Sequence, residues 1–336
     1  AYVAGTGVGL LMFGALGARI GRWRSLVGGL VGFSVLSLLG ALSPNMGSLL
    51  GIRFFQGVMS AGPAVFAPGI IRSLFDEAGA TRALGALGSV ESLVPGAAPI
   101  AGLWLLEIGG WALSFLVTAS LGLVLAIVLG MQRSMIPPAQ AQSGGGSYYQ
   151  LLKSPTYLRY ALSQACVLGG LLIFVFGAPA VITSSMGGEI IDFIRMQVVG
   201  VACFILASNL AGLCVTRFGA EQMIWFGTAL AVAAALGLFG YALIGGKDTI
   251  LLSILFAPLN AGLGLRGPPG FLRAIIAGGD NDDRAASLMI LAIFGVSAGG
   301  TALFAPFLET GLIGLSAACL ITECCALALL WSLPKL

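Results

Sequence analysis

Along most of the chain apolar residues run on for about twenty positions at a time, and the runs are broken by short clusters of charge, of Gly and Pro, or of Ser and Asn. No alternation of period two is present, and each run exceeds the roughly ten residues of a tilted barrel strand, so the pattern predicts helices that cross a bilayer. Division at the breaks predicts eleven of them, at about 1–18, 25–43, 48–72, 83–106, 111–131, 158–183, 190–215, 222–245, 248–276, 284–307 and 311–333. One stretch departs from the pattern. Residues 132–157 carry Pro137-Pro138, Ser143-Gly-Gly-Gly-Ser147 and the tyrosines Tyr148, Tyr149 and Tyr157, a polar linker that divides five spans from six.

Composition sharpens this into a membrane protein. The 336 residues are 58% apolar and 9% charged, with mean hydropathy +1.03, where soluble domains hold about 25% charged residues. So little charge cannot dress a water-facing surface, which excludes a cytosolic enzyme, a secreted domain and a nucleic-acid binder. The absence of histidine removes the commonest metal ligand and general base, so neither a metal nor a cofactor is expected. All six cysteines lie in apolar runs and read as packing residues. Of the sixteen Lys and Arg, all but Arg53, Arg195, Lys247 and Arg266 fall in loops on one face. By the positive-inside rule that face is cytoplasmic, and so is the C-terminus.

The scarce arginines also reveal a repeat. Gly14, Arg19 and Gly21 of the first loop recur as Gly212, Arg217 and Gly219 at an offset of 198 residues. Pro68-Gly69 and Arg72 recur as Pro269-Gly270 and Arg273 at an offset of 201, and Arg82-Ala83 is echoed by Arg284-Ala285. A repeat of six spans keeps both copies on the same face, as parallel repeats require. Mapping the span near Tyr157 back by the same offset places its counterpart ahead of Ala1, so the first helix of a twelve-helix protein is expected to lie outside this chain.

The first loop reads Gly14-Ala-Leu-Gly-Ala18-Arg19-Ile-Gly21-Arg22. With two six-helix halves and a central linker, it resembles the major facilitator superfamily of secondary transporters, whose loop carries Asp where Ala18 and, in the second copy, Thr216 stand. The resemblance implies an all-α membrane protein with two pseudo-symmetric six-helix bundles, eleven of the twelve helices being present. It implies a first bundle over 1–131, a cytoplasmic linker over 132–157 and a second bundle over 158–336. In the family the loop latches neighbouring helices, so without its acid the latch here must be weaker or differently built. Leu49, Arg53, Gln56 and Gly57 match the family's Leu-x-x-x-Arg-x-x-Gln-Gly pattern. Of the antiporter motif, Pro99 and Gly102 are kept, while Val94, Ala98 and Leu103 replace glycines. The texture of this region is similar to drug:proton antiporters of the bicyclomycin-resistance type.

Within spans, charged residues are functional candidates. Arg53 lies about 8 Å inside its helix end and either snorkels to the headgroups or serves proton coupling by perturbing an acid or holding water. Glu91, about 12 Å along the fourth span and flanked by Ser89 and Ser92, is the candidate proton carrier, the alternative being a cavity-lining residue. Glu323 reads as structural or interfacial. Pro258, Gly264, Gly267 and Pro268-Pro269 predict a kink or broken turn, which makes Asn260 and Arg266 cavity candidates together with Gln56, Ser92 and Gln164. Gly169-Gly170 and Gly295-x-x-x-Gly299 predict close helix contacts. The expected activity is proton-driven export of small amphipathic molecules by a monomer in the inner or plasma membrane, gated by Gly14, Arg19, Gly21, Arg22, Arg217 and Gly219. Its partners are lipid, substrate and protons, not nucleic acid. A proton-coupled symporter or uniporter of a nutrient or organic anion remains open, as do a non-transporting fragment and a membrane receptor.

Overall fold

The computed structural model describes residues 1–137 and 147–336; most of the glycine-rich part of the predicted linker lies outside the described residues. Among these residues there is no strand. The long helices are α1 (Tyr2–Ile20), α2 (Arg22–Ala41), α3 (Met46–Leu74) and α4 (Glu77–Met131), then, past a short α5 (Tyr148–Lys153), α6 (Pro155–Ser184), α7 (Ile190–Phe218), α8 (Ala220–Leu243), α9 (Thr249–Ala277), α10 (Asp282–Phe304) and α11 (Leu312–Ser332). Among the described residues ten helical stretches are long and apolar enough to cross a bilayer. The predicted span at 83–106 is also helical and runs on into the next, with non-helical angles at Gly109 and Gly110 inside α4. Exposed side chains are apolar over long stretches, Trp104, Met131 and Trp331 among them, as expected where lipid is the solvent.

Two expectations need correction. Helix α9 is one continuous helix although Pro258, Pro268 and Pro269 lie inside it, so of the predicted kink or broken turn the broken turn is absent. Gly295 and Gly299 have no atom within 4 Å of where a side chain would begin and mark no helix contact; Gly300 does, against Ile173. The close seams are elsewhere. Gly5 and Gly9 of α1 sit against the backbone of Phe54 and Val58, and Gly57 of α3 sits against the backbone of Tyr2.

The repeat is visible in the backbone. Gly21 turns α1 into α2 at φ 89°, ψ 149°, and Gly219 turns α7 into α8 at φ 85°, ψ 152°. Each caps its helix by donating its N–H to a carbonyl four residues back, Gly17 and Val215 respectively. The positive φ excludes most side chains, which is why glycine stands at both positions.

By contacts the chain forms two compact units. One comprises Ala1–Leu74, Leu93–Leu151 and Gly278–Leu291; the other comprises Phe75–Ser92, Leu152–Ala277 and Ala292–Leu336. In the first, α3 packs on α1 and α2 around Leu10, Val58, Val65 and the edge-to-face pair Phe13–Phe66. In the second, α6, α8, α9 and α11 share a core that includes the stacked rings of Phe174 and Phe256. The start of α10 belongs with the first unit and the start of α4 with the second, and these two segments are related by the repeat offset.

Candidate functional site

In the first unit the arginine-rich loop is closed over the start of α10. Arg22 is buried and donates Nε to Asp283 Oδ1 at 2.8 Å, while its Nη2 lies 3.4 Å from Asp282. Arg72 of α3 pairs with the other oxygen of Asp282 and donates to the carbonyl of Gly279 at 3.1 Å. Two guanidinium groups thus face two carboxylates, both in the first turn of α10, where the helix dipole favours negative charge. The absent acid at Ala18 is answered from α10. Gly17, just before it, faces Asp283, and Gly69 of α3 faces Arg22 and Asp283; a side chain at either would invade the cluster.

Tyr148 at the start of α5 fits the same seam. Its hydroxyl donates to the Leu11 carbonyl at 2.7 Å and lies 3.1 Å from the Ser287 hydroxyl, against the notch left by Gly14. Burial pushes the Tyr148 hydroxyl up from its ordinary range, against the opposing pull of Ser287 and Arg284, so it stays protonated and a donor. Tyr148→Phe removes this bond and is expected to lower the thermal unfolding midpoint in detergent by an amount worth about 1 kcal/mol. An unchanged midpoint would show that the hydroxyl contributes nothing.

The repeat places a related seam in the second unit. Gly85 of α4 sits against the backbone of Ser208 on α7. Ser89 lies 3.1 Å from the Ser208 hydroxyl and accepts from Asn209 at 2.8 Å, while Arg273 of α9 pairs with Glu77 at 2.6 Å. Gly14 and Gly212, equivalent by the repeat, each face the start of the incoming helix: Ser287 of α10 for Gly14, and Ala78 and Arg82 of α4 for Gly212.

The remaining candidates separate. Arg53 donates to Gln56 Oε1 at 2.9 Å, Gln56 donates to the Ser37 hydroxyl at 2.7 Å, and the guanidinium lies over the rings of Tyr2 and Phe115. Gln56 is therefore tied into the first unit's interior. Glu91 is exposed one turn beyond Ser89–Ser208–Asn209, and no hydrogen bond or ion pair holds it among the described residues. Ser92 bonds back to the Ser89 carbonyl. Gln164, Asn260 and Arg266 are buried in the second unit, with Arg266 bonded to Ser163. Arg19 and Arg217 are exposed, and Gly102 has open space around it; nothing is described of the Pro99 side chain.

Sequence reasoning did not single out Asp282 or Asp283, and it placed Tyr148 only in the polar linker. The signal was an acidic doublet opening an apolar run on the cation-rich face, carrying two of only thirteen acids.

The profile of the Major Facilitator Superfamily matches residues 1–305. The bicyclomycin resistance protein homolog of Haemophilus influenzae is 24% identical over 271 residues, covering 78% of this chain and 65% of its own length. The multidrug resistance protein MdtL of Shewanella oneidensis is 27% identical over 267 residues, covering 79% and 67%. The chain spans 47–65% of the length of the first curated relatives it matches. Among solved structures, the E. coli fucose:proton symporter FucP aligns over 96% of this chain and 88% of its own, with TM-score 0.72 and 14% identity. A bacterial homologue of the iron transporter ferroportin aligns over 98% and 88%, with TM-score 0.74 and 13% identity. These structural likenesses show the fold, and the profile match over most of the sequence shows the family: the chain belongs to the Major Facilitator Superfamily.

Proposed function

We propose that the protein is a secondary transporter that exports small amphipathic, drug-like molecules in exchange for protons. It works as a monomer by alternating access in the inner or plasma membrane, with the arginine-rich face and the C-terminus cytoplasmic. The observation that carries the gating part is the cluster of the buried Arg22, Asp282 and Asp283 with the half-buried Arg72, which ties the loop after α1 to the start of α10. Such a cluster is made or broken as a unit, which suits a gate with two discrete arrangements. The substrate class rests on the relatives named for bicyclomycin and multidrug resistance.

Glu91 is the proposed proton carrier. An exposed carboxylate in a span, with no cation held to it, has protons or a cationic substrate as its natural counter-ions. Arg53, held by Gln56 and two aromatic faces, is the proposed coupling residue. Gln56, Ser92, Gln164, Asn260 and Arg266 are the proposed contributors to the transport pathway, with Pro99 and Gly102 shaping the helix that carries Glu91.

The test is ethidium-induced proton release from purified protein in detergent between about pH 6 and 9. Wild type is expected to release protons and Glu91→Gln to release none. Unchanged release in the variant would overturn the assignment of Glu91. No release from wild type with any cationic drug would overturn antiport in favour of symport or uniport.

A further inference from the structure

The second unit holds two ionisable side chains, one on α9 and one on α11, that no water reaches. Arg266 of α9 and Glu323 of α11 are both fully buried. Arg266 donates Nη1 to the Ser163 carbonyl at 2.8 Å and Nη2 to the Ser163 hydroxyl at 3.1 Å, both on α6, and its Nε has no partner. Glu323 has no partner at either oxygen. It points at α6, with Oε1 3.2 Å from where a Gly170 side chain would begin. Gln164 Oε1, beside Arg266 Nη2 at the Gly270 notch, is also unpartnered.

A carboxylate in a lipid-embedded core with no donor at either oxygen would carry a desolvation penalty of several kcal/mol uncompensated. The arrangement is therefore that of a neutral carboxylic acid. Its surroundings leave one group able to change that. Among the described residues Arg266 is the charged side chain that acts on it; Cys166 from α6 and Cys319 and Cys324 on α11 are thiols, weak donors that cannot balance a charge. From α8, Glu221 is engaged with Arg159 and Tyr160, and Tyr241 with Asp248. A purely structural ion pair would be closed. This one is not: both halves are present and Arg266 is turned to Ser163.

We propose that Glu323 is a second proton site of the transport cycle, which holds its proton while Arg266 is bound to Ser163 and releases it when Arg266 turns to pair with it. This rests on the reading of proton-coupled transport above. On release the O–H bond of the carboxyl breaks, the proton passes to water entering the opened core, and the carboxylate accepts N–H donors from Arg266 while the Ser163 carbonyl and hydroxyl lose theirs. The charge gained on Glu323 is balanced at once, and the contact of α9 with α6 changes with it. Helix α9 is suited to that movement. Pro268 and Pro269 lack the N–H that would bond back to the carbonyls of Gly264 and Leu265, so the helix is weakest beside Arg266.

The test is infrared difference spectroscopy of the purified full chain between about pH 5 and 10, reading the carbonyl stretch of protonated carboxyl groups. Wild type and Glu91→Gln are expected to share a band that fades as pH rises, and Glu323→Gln to lack it. Glutamine mimics the neutral acid, so this variant is expected to keep the wild-type unfolding midpoint at pH 7. Arg266→Lys, which keeps the charge but loses the guanidinium fork, is expected to move the pH at which the band fades. Persistence of the full band in Glu323→Gln would overturn the proposal. A second arm measures ethidium accumulation in inside-out vesicles driven by an imposed proton gradient. If wild type accumulates none, the transport reading fails while the band still decides whether Glu323 binds the proton. If wild type accumulates ethidium and Glu323→Gln does so at the same rate, Glu323 lies outside the cycle and the proposal fails alone.

Discussion

Gly9→Val is expected to abolish recovery of folded protein from the membrane, whereas Gly51→Ala on the partner helix leaves it unchanged or slightly improved. A Cβ at Gly9 would stand closer than 3.0 Å to three backbone atoms of Val58, none of which is the free end of a side chain that could swing away. The two helices must separate, which loses the packing on both sides of the contact. That places the cost at or above the upper end of the roughly 1–3 kcal/mol seen for overpacked cores. Helix association in lipid depends on this close approach, because apolar side chains gain nothing by leaving lipid for one another. Gly5 and Gly57 report the same seam from either side, since each faces backbone of the other helix. Gly51 has nothing within 4 Å, so an added methyl there meets only the helical preference of alanine over glycine, up to about 1 kcal/mol in its favour. Fluorescence-detected size-exclusion of tagged protein, with thermal unfolding of what is recovered, separates the outcomes. A monodisperse Gly9→Val protein with a wild-type midpoint would show that α1 and α3 do not pack as closely as described.

Why the seam at Gly5 and Gly9 escaped the sequence while the turns at Gly21 and Gly219 did not is a matter of information. With 51 glycines in the chain, a small-x-x-x-small spacing arises often by chance, and Gly295-x-x-x-Gly299 has that spacing without the contact. Arginine is rare, so its recurrence at offsets of 198 to 202 residues carried the repeat, and with it the matching turns. The spans were legible because bilayer thickness sets their length and hydropathy marks their limits. The proline cluster in α9 leaves the helix unbroken, since neighbouring helices and side chains can satisfy the carbonyls that proline frees, as membrane helices often allow. For the cluster around Arg22 only the cationic half was legible. Its acids stand some 260 residues away, and pattern within one helix says nothing of which distant helix it meets. Glu323 reads from the sequence as structural or interfacial for the same reason: α11 is apolar on every face, so no amphipathic stripe marks the one side, with Leu315, Cys319, Glu323 and Ala326, that is buried.

The second large effect is expected from Asp283→Asn, which keeps the shape of the side chain and removes its charge. The buried Arg22 then shares its one remaining carboxylate, Asp282, with the half-buried Arg72. Breaking a buried pair from one side costs about 3–5 kcal/mol, because the remaining charge is left without compensation. The cost falls on the arrangement in which α10 is held by the loop after α1, and not on a state in which these groups are in water. An arrangement disfavoured by about 3 kcal/mol loses roughly two orders of magnitude in its equilibrium against the open one. Ser287, fully buried one turn along α10 from Asp283, is a reporter of that opening. In a Ser287→Cys background, alkylation at position 287, followed by peptide mass spectrometry, is expected to be slow with Asp283 and faster by a large factor with Asn. Adding Arg22→Gln removes the stranded cation and is expected to restore part of the protection, so the two substitutions are far from additive. Salt provides an internal contrast, since an exposed pair such as Arg195–Asp192 weakens with ionic strength whereas the buried cluster does not. Equal labelling rates in the two backgrounds would mean that the charges do not hold α10, and that the seam is closed by Tyr148 and helix packing alone.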